Sequence, residues 1–367
     1  MEEWKEYKLG EIGEIVGGAT PSTKNPLFYD GDISWITPKD LAAFSGRYIS
    51  RGERNITKEG FENSSCRMMP RGSVLFSSRA PIGYIAIADK ELCTNQGFKS
   101  IIPNPKKVNS EFIYYLLKYH KNYIEGLGSG TTFMEVSASV MRNIEFSIPP
   151  LSEQKRIANI LSSLDDKIEC NRRINDNLEQ QAIVLFDKMF PDIINGENKI
   201  GEWITPKRGT GLLTKDAVLG DVPVVAGGLN PAAYHNKANT TCPVVTISAS
   251  GANAGYVALW NKQVWSSDSS YIDASMTPNV YFWYVMLKKR QKEIFDAQTG
   301  SAQPHIYPQH IAEMPVKEID KKIVEHYIQL VTPLFKTIGE RTEESAKLAS
   351  IRDTLLPRLM SGELKIS

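Results

Sequence analysis

The stretch PLSEQKRIANILSSLDDKIECNRRINDNLEQQAIVLFDKMF, residues 150–190, decides the fold. Its seam residues recur in alternating steps of four and three, which is the a/d pattern of a coiled coil. The seam comprises Ile157, Leu161, Leu164, Ile168, Asn171, Asn175, Leu178, Ala182, Leu185 and Met189. Ser152 can cap the start of a helix, and Pro191 ends the run. The pattern predicts one helix of roughly 60 Å, since each residue adds about 1.5 Å, and such a helix acts as a spacer.

The same seam returns near the C-terminus, which indicates an internal repeat. Its residues are Val324, Tyr327, Val331, Leu334, Ile338, Arg341, Ser345, Leu348, Arg352 and Leu355. The offset between the two seams is constant, since 327 − 157 = 170, 338 − 168 = 170 and 355 − 185 = 170. The segment SSRAPIGYIAI around Gly83 also resembles SASGANAGYVAL around Gly255, at an offset of 255 − 83 = 172. We interpret the chain as two copies of one unit, a globule followed by a long helix, with an insertion in the first globule between about residues 42 and 62.

Composition limits the class of protein. A hydrophobic fraction of 41% is sufficient for real cores, and 367 residues suggest two or three domains. The N-terminus, MEEWKEYKLG, does not resemble a signal sequence, and no apolar run reaches the roughly 20 residues of a membrane span. We therefore expect a cytoplasmic protein. Cys66, Cys93, Cys170 and Cys242 lack CxxC spacing, which predicts reduced thiols and no metal site.

The charge distribution is ambiguous. The net charge is +1, which argues against a DNA-binding protein because DNA-binding domains tend to carry a basic excess. Between residues 47 and 79, however, seven basic residues accompany three acidic ones, a local balance of 7 − 3 = +4. The basic residues are Arg47, Arg51, Arg54, Lys58, Arg67, Arg71 and Arg79. This segment is either an ordinary solvated surface or a nucleic-acid contact, and charge alone leaves both open.

Three short segments resemble functional motifs but lack essential features. GLGSGTT, residues 126–132, lacks the lysine of a phosphate loop, and we predict a turn there. IPPL, residues 148–151, has Ile148 and Leu151 where an amino-methyltransferase motif needs a polar acceptor and an aromatic ring. Asp192 and Glu197 resemble the acids of a PD…ExK nuclease, but they are only 197 − 192 = 5 positions apart across an Asn-Gly turn. The sequence thus predicts no catalytic residue.

Three other segments resemble the specificity subunit of type I restriction-modification enzymes. They are TPSTKNPLFYDGDISWITPKDL in the first globule, IPPLSEQKRIANILSSLDDKIECN at the first long helix and LASIRDTLLPRLMSGEL at the end. The resemblance covers essentially the whole chain and implies a non-catalytic subunit with two target-recognition domains, each reading one half of a bipartite DNA site. The implied partners are double-stranded DNA, two methyltransferase subunits and restriction/translocase subunits. Those partner subunits would use S-adenosylmethionine, ATP and Mg, and this chain would hold no cofactor.

We therefore expect two α/β (α+β) target-recognition domains, separated by two long antiparallel coiled-coil helices and related by a pseudo-two-fold internal repeat. The expected boundaries are 1–149 for target-recognition domain 1, 150–190 for the central helix, 191–319 for target-recognition domain 2, 320–357 for the distal helix and 358–367 for a C-terminal tail. Antiparallel pairing would place Asn171 and Asn175 opposite Arg341 and Ser345, a polar layer that fixes the register of the helices. Pro333 should kink the distal helix or divide it in two.

Two binding surfaces are expected. The residues assigned to DNA are Lys24, Thr37, Lys39, Arg47, Arg51, Arg54, Lys58, Arg67, Arg71, Ser78, Arg79, Lys207, Ser248, Ser250 and Asn253. Apolar residues outside the seam should pack on the chain's own globules or dock methyltransferase subunits. Those assigned to docking are Ile160, Ile174, Phe186, Phe335, Ile351 and Leu356. The alternative function is a coiled-coil protein-interaction scaffold without DNA readout, whereas the missing motifs disfavour an enzyme with its own methyltransferase or nuclease site.

Overall fold

Helices account for much of the chain. The computed structural model describes residues 3–42, 44–79, 81–130, 134–300 and 303–364. Its α-helices are α1 (Leu9–Ile12), α2 (Pro38–Ala42), α3 (Lys58–Glu62), α4 (Ser110–Tyr119), α5 (Lys121–Gly126), α6 (Ala138–Asn143), α7 (Leu151–Met189), α8 (Val280–Lys289), α9 (Gln291–Asp296), α10 (Pro308–Ala312) and α11 (Lys321–Met360). The two long helices, α7 and α11, carry the two seams read from the sequence.

The strands are short and form several small sheets. They are β1 (Lys5–Lys8), β2 (Gly13–Gly17), β3 (Tyr29–Ile33), β4 (Trp35–Ile36), β5 (Tyr48–Ile49), β6 (Val74–Ser78), β7 (Ile82–Ala88), β8 (Cys93–Thr94), β9 (Lys99–Pro103), β10 (Glu145–Ile148), β11 (Asn198–Lys199), β12 (Lys207–Arg208), β13 (Val222–Val225), β14 (Ala233–His235), β15 (Val244–Ser248), β16 (Val257–Trp260), β17 (Trp265–Ser266), β18 (Ser269–Asp273) and β19 (Pro315–Val316). The described residues fall into two compact units, one up to Glu169 together with the segment from Ala346 onward, and the other Cys170–Ser345. We call these the first and second unit.

The first unit is built on a five-stranded sheet in the order β2-β9-β6-β7-β5. Strand β6, VLFSS, is buried along its whole length because it lies inside this sheet. Helix α4 packs against the sheet with a run of apolar residues, Phe112 to Leu117, buried. Asn109 caps α4 by accepting a hydrogen bond from the Phe112 amide, at 2.9 Å. The same apolar core includes Ile157 and Leu161 of α7 and Leu359 of α11, so the long helices are part of it.

The second unit has the same kinds of elements on a smaller sheet, in the order β12-β18-β15-β16. Strand β15, VVTIS, is buried along its length, and α8, VYFWYVMLKK, covers it with eight buried residues. The core of this unit also takes in Phe186 of α7 and Tyr327 and Phe335 of α11. Side chains of this size each contribute about 1.5–3 kcal/mol when fully buried. The long helices therefore complete the hydrophobic core of this unit as well.

Within the second unit, α7 and α11 run antiparallel. Asn171 Nδ2 donates to Ser345 Oγ at 3.2 Å, and Tyr327 Oη donates to the Ala182 carbonyl at 3.0 Å. Residue numbers thus rise along one helix as they fall along the other.

Pro333 does not divide the distal helix, since α11 is continuous from Lys321 to Met360. That part of the prediction is wrong. The proline removes one backbone donor, which a long helix can tolerate without ending there, and the predicted kink stays a prediction. No helix within the described residues is long and apolar enough to cross a membrane.

Candidate nucleic-acid interface

In the first unit, charged side chains meet where β6 ends and β9 begins. Lys99 Nζ lies 2.9 Å from Glu135 Oε1, and Arg79 Nη1 lies 3.8 Å from Glu135 Oε2. The backbones of Ser129 and Glu135 exchange two hydrogen bonds of 3.0 Å, which close the loop between them. Of the turn predicted at 126–132, Ser129 and Gly130 lie in this loop, Gly126 ends α5, and Thr131 and Thr132 lie outside the described residues. The closed loop holds the Glu135 carboxylate beside two cations.

A hydroxyl and an amide extend this group. The Thr20 hydroxyl donates to the exposed Gln96 side chain, and the Ala19 amide donates to the Thr94 carbonyl at 2.9 Å. The carbonyl of Gly97, which follows Gln96, accepts a 2.7 Å hydrogen bond from the Ser78 amide and so ties this loop to the end of β6. We call the surface formed by Thr20, Arg79, Gln96, Lys99 and Glu135 the first polar edge.

The second unit has a comparable group at the ends of β12, β15 and β18. Arg208 Nη2 lies 2.6 Å from Asp268 Oδ1, and the Ser250 hydroxyl donates to the other oxygen of that carboxylate. His305 pairs through its backbone with Ser250, and its ring stacks on Tyr307 with centroids 6.0 Å apart. We call the surface formed by Arg208, Ser250, Asn253, Asp268 and His305 the second polar edge.

Each polar edge mixes donors and acceptors. In both, a carboxylate neutralises part of the positive charge of its neighbours: Glu135 does so for Lys99, and Asp268 does so for Arg208. A purely cationic surface neutralises phosphates, whereas a fixed array of donors and acceptors can match the hydrogen-bonding pattern of base edges. The arrangement therefore suits recognition more than bulk charge neutralisation. Within the described residues, no group of three or more His, Cys, Asp and Glu side chains could hold a metal ion.

Arg47 was assigned to DNA, and this assignment is wrong. Its side chain is only 7% exposed, and Nη2 lies 2.6 Å from Asp166 and 3.4 Å from Glu111. Nη1 donates to Tyr115 Oη at 3.2 Å, and Tyr115 Oη donates to Asp165 Oδ2 at 2.6 Å. Burial, followed by the charge of Asp165, raises the pKa of Tyr115 well above its ordinary value. Arg47 is therefore a structural residue that joins the segment directly before β5 to α4 and α7.

Apart from Arg79, the other basic residues of this run are exposed, as is Lys39, and most form an ion pair with a nearby acid rather than a shared patch. The pairs are Lys39 with Glu53 at 2.7 Å, Arg54 with Asp30 at 3.7 Å, Lys58 with Glu62 at 3.7 Å, Arg67 with Glu14 at 2.6 Å and Arg71 with Asp89 at 3.4 Å. Arg54 also lies over the Tyr29 ring, 3.8 Å from its centroid, and Arg51 contacts Asn55. The acids reduce the excess charge that suggested a DNA-binding surface.

Of the remaining assigned residues, two are placed differently from the prediction. Ser78 and Ser248, at the ends of β6 and β15, are buried with 0% and 4% exposed, so their assignment to DNA is wrong. Thr37 directly precedes α2, and both its amide and its hydroxyl donate to Asp40 Oδ2 at 2.7 Å. Lys24 and Lys207 are exposed, with no ion pair to any residue that the structure describes.

Ser250 and Asn253 lie in the second polar edge. Both are half-buried, and Asn253 Nδ2 donates to the Gly227 carbonyl at 3.3 Å. Arg79, which belongs to the first polar edge, is likewise half-buried, with 35% of its side chain exposed. These three are the assigned residues that the structure brings into a mixed donor and acceptor surface.

The residues assigned to the register of the helices come together. Asn171 Oδ1 accepts from Arg341 Nη1 at 3.0 Å, and Asn171 Nδ2 donates to Ser345 Oγ at 3.2 Å. Asn175 donates to Thr342 Oγ1 at 3.2 Å. The polar layer exists, and its role in fixing register stays a prediction.

Three residues assigned to partner docking are buried in this chain's own cores. Phe186 and Phe335 are 1% exposed in the second unit, and Leu356 is 8% exposed in the first. Their assignment is wrong because the globules, rather than a partner, cover the widened apolar stripe. Ile160 and Ile174 are half-buried, and Ile351 is 49% exposed. Ile351 is thus the assigned docking residue that is most accessible.

Sequence reasoning missed most of the polar edges. Thr20 and Gln96 meet across 76 positions, and Arg208 and Asp268 meet across 60. No local period marks such residues, because each lies in a loop or at a strand end that only the sheet topology brings to its partner. Arg79 was assigned from the local charge and its loop-rich setting, and Ser250 from its position in the repeat; a further available signal is the position of both residues directly after buried strands.

Comparisons with known proteins agree on one family. The family model for the type I restriction modification DNA specificity domain matches residues 1–180. The type I restriction enzyme MjaIX specificity subunit of Methanocaldococcus jannaschii is 34% identical over 409 aligned residues, covering 99% of this chain and 94% of that protein. The type I restriction enzyme HindI specificity subunit of Haemophilus influenzae is 30% identical over 203 residues, covering 53% of this chain and 41% of that protein. The crystal structure of an S subunit of a type I restriction-modification system from M. genitalium shares the fold, with a TM-score of 0.58 at 20% identity, covering 99% of this chain and 97% of that one.

The mixed helix-and-strand fold, the long helices and these matches define a subunit class that serves DNA restriction and modification. The chain belongs to the family of type I restriction enzyme specificity subunits, since the similarity extends over nearly its whole length. It is a non-catalytic subunit that determines DNA sequence specificity, and it works with DNA and with other subunits of the enzyme. This function is favoured over a protein-interaction scaffold without DNA readout.

Proposed function

We propose that each unit reads one half of a bipartite DNA site through its own polar edge. The observation that carries this proposal is that both units present the same mixture at the same place, namely a carboxylate bound to a cation beside a backbone-closed loop. Glu135 pairs with Ser129 in the first unit, and His305 pairs with Thr299 in the second. The two loops are equivalent by the repeat, since 305 − 135 = 170 and 299 − 129 = 170.

The positions of the helices support an internal repeat. The starts of four helices in the first half and four in the second half differ by one constant offset: 280 − 110 = 170, 291 − 121 = 170, 308 − 138 = 170 and 321 − 151 = 170. We propose that the chain consists of two copies of one unit and that the two are related by a pseudo-two-fold axis, so that two similar half-sites can be read. The use of the long helices as the spacer between half-sites, and the domain boundaries stated above, stay predictions.

The two polar edges should make different contacts within each half-site. Gln96 is exposed and carries an amide that can pair with adenine through two hydrogen bonds, and Arg208 can pair with guanine in the same manner. Each such pair discriminates by about 1–3 kcal/mol against the wrong base. Lys24 and Lys207 are exposed and have no ion pair within the part of the chain that the structure describes, so they are suited to phosphate contacts, which position the protein but carry no sequence information.

Methyltransferase subunits are the partners that we propose for the exposed face of α11. Ile323 and Leu330 are 39% and 42% exposed and lie one heptad apart, on one face of this helix. Ile160 on α7 is the repeat equivalent of Leu330, since 330 − 160 = 170, and it is half-buried, which supports one docking place in each unit for two methyltransferase subunits.

Restriction/translocase subunits complete the proposed assembly. The chain itself would hold no cofactor, while its partners would use S-adenosylmethionine, ATP and Mg. The assembly would act on DNA in the cytoplasm.

Docking is tested by an acidic substitution on this face. Leu330→Asp should abolish co-purification with the methyltransferase subunit, because a charge placed in an apolar contact must be desolvated. Gln329→Asp is the matched control, since Gln329 is also exposed and precedes Leu330 on another face. Equal co-purification of both variants with the methyltransferase subunit would place docking elsewhere.

DNA readout is tested by binding. The purified chain, alone and with its methyltransferase subunit, is titrated against a duplex carrying the host's methylated motif and against a duplex with that motif scrambled. We expect tighter binding to the first duplex by at least about 1000-fold for the assembled complex, the lower bound of ordinary specific binding. Equal affinity for both duplexes would contradict sequence-specific readout by this subunit.

A further inference from the structure

Two exposed leucines lie in loops beside the second polar edge. Leu213 lies between β12 and β13 and is 62% exposed, and Leu229 lies between β13 and β14 and is 57% exposed. Single exposed leucines are common on protein surfaces and need no explanation. These two differ from that case, because hydrogen bonds tie both of their loops to the residues in and next to the second polar edge.

The backbone on both sides of Leu213 is held in place. The Leu212 amide donates to Ser267 Oγ at 2.9 Å, and Ser267 directly precedes Asp268 of the second polar edge. The carbonyl of Leu213 itself accepts a hydrogen bond from the Asp216 amide, also at 2.9 Å. Leu213 thus has a fixed backbone next to the edge, while most of its side chain lies in solvent.

The loop that carries Leu229 packs directly on two residues of the same edge. The Gly227 carbonyl accepts a hydrogen bond from Asn253 Nδ2 at 3.3 Å. A β-carbon at Gly227 would lie 2.6 Å from the Ser250 carbonyl oxygen, so the absence of a side chain lets the two backbones approach this closely. Leu229 follows two positions later and is therefore presented beside Ser250 and Asn253.

The charges around Leu213 favour DNA over a protein as the partner of this surface. The segment KRGTGLLTK, residues 207–215, contains three basic residues and no acidic one. Lys207 and Lys215 are exposed, and neither forms an ion pair with any residue for which the structure gives a position. An apolar protein surface would have to desolvate these lysines at a cost, whereas the phosphates of a duplex neutralise them.

The chemistry of the major groove offers one apolar contact to such side chains. The C5-methyl group of thymine is the apolar group that a base pair presents there, and aliphatic side chains recognise it by direct contact. We propose that Leu213 and Leu229 contact thymine methyl groups in the half-site that the second unit reads. This inference rests on the proposed reading of DNA by the second polar edge, and it adds apolar recognition of T·A pairs to the hydrogen bonds of that edge.

The test replaces thymine by deoxyuridine, which lacks the C5-methyl group and retains the hydrogen-bonding groups of thymine. The complex with methyltransferase subunits is titrated against its recognition motif and against duplexes in which each thymine of the motif is replaced in turn. At one position or more, we expect binding to weaken about fourfold, the change that burial of one methyl group gives. A motif without a T·A pair, or full affinity for every deoxyuridine duplex, would overturn the proposal.

Variants assign the methyl contacts to particular side chains. In Leu213→Ala, the ratio of the affinities for the thymine and deoxyuridine duplexes should fall from about fourfold to about one at a single position, and Leu229→Ala should have this effect at another. Leu219→Ala is the matched control, because Leu219 is 93% exposed in the same unit and its neighbour Gly220 packs on His235. The control should retain both ratios. Unchanged ratios in both Leu213→Ala and Leu229→Ala would contradict the assignment.

Two further readouts distinguish this inference from the proposed function. Preference for the motif over a scrambled duplex, without any effect of deoxyuridine, would overturn the thymine contacts and leave sequence-specific readout in place. Equal binding of the motif and the scrambled duplex would overturn both. We expect co-purification with the methyltransferase subunit to be unchanged in Leu213→Ala and Leu229→Ala. Its loss, with the affinity ratios retained, would place the two leucines in a protein interface and overturn the proposal.

Discussion

The two units differ in the side-chain contacts that hold their segments of the long helices against the rest of the unit. In the first unit, a buried ionic network accompanies the apolar core that the long helices share: Arg47 is buried against Asp166 and Tyr115, and Arg352 Nη1 lies 2.6 Å from Asp165 Oδ1. Burying charges is expensive unless each one is paired with good geometry. The first unit meets that condition with a network that joins a strand segment, α4, α7 and α11.

In the second unit, two of the positions that the proposed repeat makes equivalent are apolar or aromatic. Asp165 corresponds to Phe335, since 335 − 165 = 170, and Arg352 corresponds to Ala182, since 352 − 182 = 170. The Phe335 ring stacks on Tyr281 with centroids 4.7 Å apart and an interplanar angle of 15°. Phe186 lies against this region with its ring 5.6 Å from that of Tyr327. The comparison shows that one arrangement of elements can be fixed either by a directional ionic network or by less directional aromatic packing.

The largest effect is expected in the aromatic contact. Phe186→Ala should lower the free energy of unfolding by about 4 kcal/mol, because it removes a buried ring and leaves a cavity. Urea denaturation measures the change, and hydrogen exchange assigns the lost protection to the second unit. Val184→Ala is the matched control on the same helix, since Val184 is 64% exposed and should change stability little. A similar loss in both variants would contradict the aromatic account.

The ionic contact should be slightly less sensitive. Arg47→Met should lower the free energy of unfolding by about 3 kcal/mol, because Asp165 and Tyr115 lose a buried cationic neighbour while Asp166 remains partly solvated. Hydrogen exchange should place the lost protection in the first unit. Arg67→Met is the control, since its pair with Glu14 is half-exposed and should contribute less than about 1 kcal/mol. If Arg47→Met lowers the free energy of unfolding no more than Arg67→Met does, the ionic network does not stabilise the first unit.

Part of this molecule could be predicted from sequence and part could not. The seams of α7 and α11 have a regular period, so the two long helices and their antiparallel partners Asn171 and Ser345 follow from the pattern. Arg47 could not be placed, because its partner Asp166 is 119 positions away and a basic run looks like a surface until that partner is known. The width of the apolar stripe on the long helices was also ambiguous, because a wide stripe can pack on the chain's own globules or on a partner. Phe186 packs in the core of its own unit, and only the fold shows this.

The polar edges illustrate the same limit. Arg79 and Ser250 follow buried strands and lie in the polar edges, and their assignment to DNA stays a prediction. Their neighbours Gln96 and Asp268 lie in loops of ordinary polar composition and were missed. Local propensity gives the strands, but the sheet order determines which loops share an edge.

The polar layer between the long helices should have a smaller effect than either globule contact. Asn171→Leu should lower the free energy of unfolding by about 1–2 kcal/mol, because Arg341 loses an acceptor while its buried Nε has no partner among the described residues. The double variant Asn171→Leu/Arg341→Leu should be more stable than the single variant, but it should show more than one set of amide NMR resonances along both helices if the layer fixes register. A single set of resonances would assign register to other contacts.

The smallest effects are expected for the exposed ion pairs outside the polar edges. Arg71→Ala and Arg54→Ala should each weaken DNA binding by less than about 1 kcal/mol, evenly across sequences, because any contact made from these positions would be to phosphate. Fluorescence titration at several salt concentrations measures both the affinity and the salt slope. An unchanged slope in the double variant would make these residues ordinary surface, and a loss of base preference would extend the reading surface beyond the polar edges.

The central claim is that the two polar edges read different halves of one DNA site. The direct measurement is selection of bound duplexes from a randomised library by the complex with methyltransferase subunits, using the unaltered chain, Gln96→Ala and Arg208→Ala. The unaltered chain should recover a bipartite motif. Gln96→Ala should lose base preference in one half of the motif, and Arg208→Ala should lose it in the other half. In each variant, the remaining half and the spacing between the halves should be unchanged. Loss of preference in the same half by both variants, or an unchanged motif in both, would contradict the account.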